Sequence, residues 1–500
     1  MKRLLFWGFV AAALFTLLFL GLNLFDSAPS PGSPTAAAGA SPAGSLGPDN
    51  GFFAIWGFAE PPGVDPMSPG FHRQVQELFQ ARSRGYLSRS PYGHWLLRLN
   101  SGYERHWRGA SVYFPQLQQE DAGAYFASRR AQFAERLQRF ASLLGRYRQI
   151  LHARELEDFT PLNWDCPARS LLLATHAARL YAASQVLAAL DGRWAEAGDG
   201  LLQALAAGTK LINSGRTFKV NVLGRAMVEL SLRSLASLLN RPDCPADFVL
   251  RIVASLPPEA SGRFGTGTVR AFHWQGFRSA IRRVKEERVV DPFLLKDYFR
   301  SPAAFYALER FVAFSGPRVF AAVHALAAFF VKENETVALL RESWERIGRL
   351  EETPPWRWRD SSGIPARRNP GPGAPFWWLR NPLGKMMVRS AIPFAWPILR
   401  HYVYRSHELH ARYDLVRLLA RARLAAAGTR LDEAALRGLL AAAKERDPFS
   451  GSPYRFSREQ AAIYAIGADR SDDHGREQAD VWRDSDIAVP IHFVISDSAN

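Results

Sequence analysis

The sequence predicts a mainly α-helical protein with an N-terminal transmembrane helix, an antiparallel helical body and a small C-terminal α+β module with a β-hairpin. Three observations lead there. Residues 4–25 carry no charge. Apolar residues recur at spacings of three and four between Arg129 and Leu239. Two short strand-like stretches, Tyr454–Ser457 and Ile463–Ile466, stand near the C-terminus with a few polar residues between them.

The first 25 residues read as a signal-anchor. Lys2 and Arg3 precede 22 uncharged residues, which as a helix span about 33 Å, enough for a hydrocarbon core. The basic start keeps the N-terminus in the cytoplasm and sends the rest of the chain across. The other reading is a long cleavable signal, cut near Ala36-Ala37-Ala38 or Ala38-Gly39-Ala40. Residues 26–50 are Ser, Ala, Pro and Gly with few charges, a flexible tether.

The body is expected over 51–352. Its opening, GFFAIWGFAEPPGVDP, is a short apolar segment followed by a turn-rich loop, and residues 51–125 read as irregular. Phe133, Leu137, Phe140, Leu144, Tyr147 and Leu151 form one helical stripe. Three more follow: Leu173 to Leu187, Leu201 to Ile212 and Val228 to Leu239. Asp191-Gly192 and Asn213-Ser214-Gly215 separate them, and both tolerate a left-handed turn. Links this short make antiparallel neighbours. Further helices are expected at 269–289, 302–331 and 333–350. The apolar run Val319–Val331 is too short to span a membrane and reads as a buried helix.

Residues 353–405 form a connecting segment rich in Pro, Trp and Arg. Nine prolines between 353 and 400 exclude a long helix there. The helix is expected to return from about Ser406 to Ala427, with a shorter one at 432–446. Residues 406–500 make the last module.

Composition narrows the function. A hydrophobic fraction of 47% is globular, and two cysteines exclude a disulfide framework or a Cys-only zinc cluster. Residues 447–500 hold ten acids and five bases; with +16 for the whole chain, the remainder carries +21. An exported compartment holds little nucleic acid, so anionic lipid or envelope polymer is the expected match for that charge, with no nucleic-acid partner. Phosphate loops, nucleophile elbows and H-E-x-x-H are missing from the sequence.

Four groups of residues are candidates for chemistry. Arg357, Arg359, Arg367, Arg368, Trp377 and Trp378 suit an anionic surface; alternatively the aromatics of this segment pack on the body and the arginines face solvent. Cys166 and Cys244 are a candidate disulfide in an oxidising compartment, or two free thiols. His407, His410 and Asp414 share a helix face, either as metal ligands or as an ordinary polar face. Asp469, Asp472, Asp473, Asp480, Asp484 and Asp486 lie within 18 residues and offer the carboxylate oxygens a calcium ion takes; alternatively Arg470, Arg476 and Arg483 neutralise them.

The C-terminal residues carry a resemblance. Asp447-Pro448-Phe449-Ser450-Gly451-Ser452-Pro453-Tyr454, IYAIGADRSDD at 463–473 and Asp486-Ile487 resemble the exported part of the major pseudopilins of type II secretion. The resemblance implies a helix, a D-P-aromatic turn, a β-hairpin and a calcium-binding loop, with Asp469, Asp472 and Asp473 the best-matching ligands. The whole chain is similar to a family of bacterial membrane-anchored envelope proteins through FFAIWGFAEPPGVDP, ENETVALLRESW at 333–344 and NPLGKMMVRSAIPF at 381–394. That implies the inner membrane, with the bulk in the periplasm. The expected function is a membrane-tethered scaffold or binding protein with an envelope protein, anionic lipid or polymer as partner. The alternatives are an envelope hydrolase with a scattered acid/base pair, or an accessory subunit of a secretion or pilus-type system.

Overall fold

The computed structural model describes residues 47, 49–83, 110, 113–114, 122–160, 169–257, 264–286, 331–358, 380–426, 430–476 and 486–495. It is mainly helical, with a small three-stranded antiparallel sheet. The chain divides into two units. One comprises Met1–Gly39, Arg270–Leu350 and Arg359–Tyr402; the other comprises Ala40–Val269, Glu351–Trp358 and Val403–Asn500.

The expected end of the tether lies within the larger unit. Asn50 is buried and bonds in three directions: its Nδ2 donates to Glu157 O at 2.9 Å, and its Oδ1 accepts from Glu157 N and Phe52 N, both at 3.1 Å. The next residues are not irregular. Helix α1 (Phe52–Trp56) is buried on every side, because five consecutive large apolar residues leave no polar face to turn outward. Phe159 packs on Phe52 and Phe53, and His72 from α2 (Pro69–Ser83) stacks on Phe53 at 3.7 Å.

The stripe from Phe133 to Leu151 is divided between α4 (Arg130–Arg139) and α5 (Ala141–His152), which follow α3 (Ala122–Ser128). Phe140 sits at the break with φ −106°, still buried, so the core face carries across the bend. Helix α5 also supplies Arg146. Its guanidinium is buried and donates to four carbonyls: Phe58 O at 3.2 Å, Glu60 O at 2.7 Å, Pro61 O at 2.5 Å and Val64 O at 3.0 Å. The Pro-rich loop after α1 makes few backbone bonds of its own, and Arg146 takes up its carbonyls.

Helices α6 (Arg169–Leu190), α7 (Trp194–Ser214) and α8 (Phe218–Leu239) follow the predicted stripes. Gly192 lies at φ +82°, the left-handed turn the sequence asked for. Gly215 does not; its φ is −61°. It is glycine for space, since a Cβ there would stand 2.6 Å from Leu211 O. Thr217 caps α8 by accepting from Val220 N. The pairing of Gly208 with Gly224 and of Ile212 with Asn221 makes α7 and α8 antiparallel. At Gly208 and Gly224 the backbones nearly touch: a Cβ on either would lie 2.7 Å from the other's carbonyl oxygen. Helix α9 (Ala246–Ser255) packs against α7 through Phe248, whose ring a Cβ at Gly198 would approach to 3.2 Å.

The expected absence of a long helix in 353–405 is wrong. Helix α12 runs from Pro382 to Ala425, and Pro393 and Pro397 lie inside it. Pro382 costs nothing at a first helical position. The two internal prolines each remove one donor, and the helix continues through both. The other prolines of the segment are Pro354 and Pro355 at a 3₁₀ turn (Pro355–Arg357) and four within 359–379, outside the described residues.

The smaller unit holds most of α10 (Gly267–Glu286), most of α11 (Glu333–Glu352) and the first half of α12. Asn381, buried at φ +53°, accepts from Lys332 N at 2.9 Å and donates to Thr336 Oγ1 at 3.0 Å. It joins the ENETV and NPLGK stretches. A Cβ at Gly384 would clash with Thr336 Oγ1. The helix expected at 302–331 lies outside the described residues except for buried Val331. The signal-anchor at 4–25 lies outside them too; among the described residues no helix is long and apolar enough to cross a membrane.

The C-terminal module contains the predicted hairpin. β2 (Arg455–Ser457) pairs antiparallel with β3 (Ala462–Ala465), with Phe456 opposite Ile463. The final apolar segment adds β4 (Ile487–Pro490) on the other edge of β3, Tyr464 opposite Ala488. β1 (Leu431–Asp432), which precedes α13 (Glu433–Ala442), pairs in parallel with β5 (Val494–Ile495).

Replacing Arg146 with Met should destabilise the larger unit by about 3 kcal/mol, because four carbonyls of the loop lose a buried charged donor. Denaturant unfolding of the two proteins checks this. A loss under 1 kcal/mol would mean that water satisfies the loop without Arg146.

Candidate functional site

The residues that carried the pseudopilin resemblance fold into one turn and one loop against the three-stranded sheet. Asp447 builds the turn. Its Oδ1 accepts from Phe449 N at 2.8 Å, and its Oδ2 accepts from Ser450 Oγ at 2.6 Å and Ile466 N at 3.1 Å. The last bond ties the turn to the residue after β3. Gly451 closes it at φ +73°, donating to Asp447 O at 2.8 Å. Burial pushes the Asp447 carboxyl up while these donors pull it down, with burial the stronger.

Tyr454 ends the turn and reaches back to α12. Its hydroxyl donates to Asp414 Oδ2 at 3.0 Å. Burial raises the Asp414 carboxyl to about 6 against the opposing pull of Tyr454 and Arg417. Asp414 is thereby a partner for Tyr454. The histidines of its face pack on rings instead: His410 tilts on Phe264 at 4.9 Å, and His407 lies edge-on to Trp358 at 5.9 Å.

The loop after β3 carries the predicted calcium ligands. Asp469 Oδ1 accepts from Ser471 N at 3.0 Å, a local turn. Asp472 is fully engaged: Oδ1 accepts from His474 N at 3.0 Å and Tyr464 Oη at 3.1 Å, and Oδ2 is paired with Arg455. Asp473 and Asp472 both raise the carboxyl of Asp486, which enters from just before β4. Asp486 is buried. Its Oδ2 accepts from Gly475 N at 2.8 Å, while its Oδ1 is buried with no hydrogen-bond partner. Burial, then Asp472 and Asp473, lifts its carboxyl to about 6 against the pull of the backbone N–H groups of Gly475 and Gly467.

This fits a cation in part. The orphaned Asp486 oxygen is what a calcium ion would satisfy, and Asp473 stands near it. Asp472 is already neutralised by Arg455, a competitor the sequence reading did not name. Among the described residues no three His, Cys, Asp or Glu side chains gather as a metal group. Asp480 and Asp484 lie outside the described residues.

The Pro-Trp-Arg segment docks on the same turn. Trp356 N donates to Pro448 O at 3.3 Å, and Arg470 Nη2 donates to Pro355 O at 2.5 Å. The Trp356 ring lies over Gly451, where a Cβ would meet it at 2.8 Å. Its outer part stays exposed, with the Arg357 guanidinium 4.7 Å from the ring centroid. Trp358 is buried, donating from Nε1 to Thr353 O at 2.8 Å. Of the six residues proposed for an anionic surface, Arg357 is thus placed beside an exposed indole. Arg359, Arg367, Arg368, Trp377 and Trp378 lie outside the described residues. So does Cys166; Cys244 is half-buried, without a disulfide partner among the described residues, and burial raises its thiol to about 11.

No protein-family model, curated protein or solved structure matches this chain.

The raised carboxyl of Asp414 sets a pH dependence. A folded pKa near 6 against about 4 unfolded means that the folded state holds more protons across that interval. This contribution to stability is present below pH about 4 and is lost as pH rises through 6. Asp414→Asn keeps an acceptor for Tyr454 and should flatten the fall in stability between pH 4 and 6 by about 2 kcal/mol. Urea unfolding at pH 4, 5, 6 and 7 measures it; parallel curves for both proteins would place the titration elsewhere.

Proposed function

We propose that this chain is a membrane-tethered scaffold or binding protein of the bacterial envelope, anchored in the inner membrane through residues 4–25 and facing the periplasm. One observation carries the reading. The uncharged run and its Ser/Ala/Pro/Gly tether end at Asn50, which is buried and bonded to Glu157 and Phe52. The folded body is thus held at the point where the tether reaches it. The exposed Trp356–Arg357 pair offers the body an aromatic and cationic contact for an anionic lipid, polymer or protein.

The test is topology. A reporter active only in the periplasm, fused after Asn500, should be active, and the fusion should stay in the membrane fraction after alkaline carbonate washing. An inactive reporter ends the export reading; an active one that washes off ends the anchor.

The accessory role in a secretion or pilus-type system has its own support. The Asp447 turn and the loop that brings Asp486 beside Asp472 and Asp473 match the order turn, hairpin, acidic loop that the pseudopilin resemblance implies. Asp473 and Asp486 would hold calcium, with Asp469 as a further oxygen donor from the same loop. Calcium at millimolar concentration should then raise the unfolding midpoint over that in chelator, and Asp486→Asn should abolish the difference. Equal midpoints for the unaltered chain would remove calcium from this reading.

A further inference from the structure

Asn50 is the only asparagine of the chain that precedes a glycine. The pair carries a chemical liability. The backbone nitrogen after an asparagine can attack the side-chain carbonyl carbon, and a glycine there has no Cβ to hinder the approach. Packing keeps the pair in place all the same. Gly51 has φ −63°, which any residue adopts, but a Cβ on it would stand 2.5 Å from Ala153 Cβ and 3.0 Å from Leu156 Cδ2. Asn50 is needed for its amide, which donates to Glu157 O and accepts from Glu157 N. A carboxylate has no proton to give to the first of these.

The closed attachment suppresses the reaction. Gly51 N must lose its proton to attack, and that proton is donated to Glu155 O at 3.0 Å. The nitrogen that must leave, Asn50 Nδ2, is held by Glu157 O at 2.9 Å. Asn50 is 1% exposed, so the hydroxide that would take the proton does not reach it. These protections end together when residues 50 and 51 come away from residues 155–157. Such an opening leaves the helices folded.

In the open form Gly51 N bonds to Asn50 Cγ and closes a cyclic imide. The Cγ–Nδ2 bond breaks, and ammonia leaves with the proton from Gly51 N. Water then adds to either ring carbonyl and breaks its bond to the ring nitrogen. The product is an aspartate or an isoaspartate at position 50. Neither fits the closed form. A carboxylate oxygen would face Glu157 O, acceptor against acceptor, and its charge would be buried beside a segment that already carries Glu155 and Glu157. The isoaspartate also lengthens the main chain.

We propose that Asn50–Gly51 is a spontaneous modification site and a one-way release: once the imide forms in the open attachment, the N-terminal side of the chain no longer reattaches at Glu157. Water is the only co-reactant. The inference rests on the attachment alone and does not depend on the envelope reading.

The experiment holds the full chain in a neutral detergent at pH 8, native and in urea. Peptide mass spectrometry follows position 50 for the change of amide to acid and for the isoaspartyl linkage, and hydrogen exchange is read on the native sample at Gly51 and in α8. Native modification is expected to be slowed, relative to urea, by the factor that slows exchange at Gly51, to within about threefold, because both need the same opening. Modification as fast in the native chain as in urea overturns the protection. Modification slowed as far as exchange in the middle of α8 ties it to global unfolding and overturns the local release. Asn50→Asp tests the product. Its Gly51 amide should exchange about tenfold faster or more than in the unaltered chain, with the α8 amides unchanged. Protection retained at Gly51 overturns the one-way step, and protection lost in α8 as well overturns a release confined to the attachment.

Discussion

The Arg146 guanidinium is the joint on which the N-terminal part of the larger unit depends. A loop of the composition AEPPGV makes only one backbone bond across itself, Val64 N to Pro61 O, and leaves most of its carbonyls to other partners. One side chain with five donors answers four carbonyls between Phe58 and Val64. Lys, with a point charge and three donors, has no geometry to do the same. Burial lowers the Arg146 pKa only to about 10, so the charge stays on at any physiological pH. With that loop fixed, α1 is held against α5, and its five buried residues extend the core.

The same use of arginine recurs. Arg225 reaches Phe264 O, and Arg423 reaches Arg241 O and Pro242 O. Arg417 pairs with Glu445 inside the C-terminal module. The net charge of +16 therefore does not describe a surface. Some of the chain's arginines sit indoors as cross-links between helices and loops, and these are not available to a partner.

The helical body was legible because its stripes are regular. Leu201, Leu205, Gly208 and Ile212 all face the core, as do Val228, Leu232, Leu235 and Leu239. The hairpin was legible from Phe456 and Ile463 and the polar residues between them. Three things were not. FFAIW reads the same as a buried strand or a helix, because a run apolar on all sides has no period. Pro393 and Pro397 argued against a helix by local preference, and preference is a weak prior once a helix is held along its length. The Arg455–Asp472 pair joins residues 17 apart in sequence, and nothing in spacing announces it.

Asn50 has a mechanical consequence. A pull arriving along the chain from the N-terminal side enters the body there. It meets the two Asn50–Glu157 bonds and the bond from Gly51 N to Glu155 O together, side by side. Bonds arranged so must break at once rather than one after another, so the attachment resists tension better than a single bond of the same kind. Directly behind it Phe52 and Phe53 are wedged under Phe159. A load that overcame the hydrogen bonds would next have to draw two phenyl rings through a packed interior. The first turn of this domain is built as a grip, in which the Asn50 and Gly51 bonds take the load before the rings packed under Phe159 do.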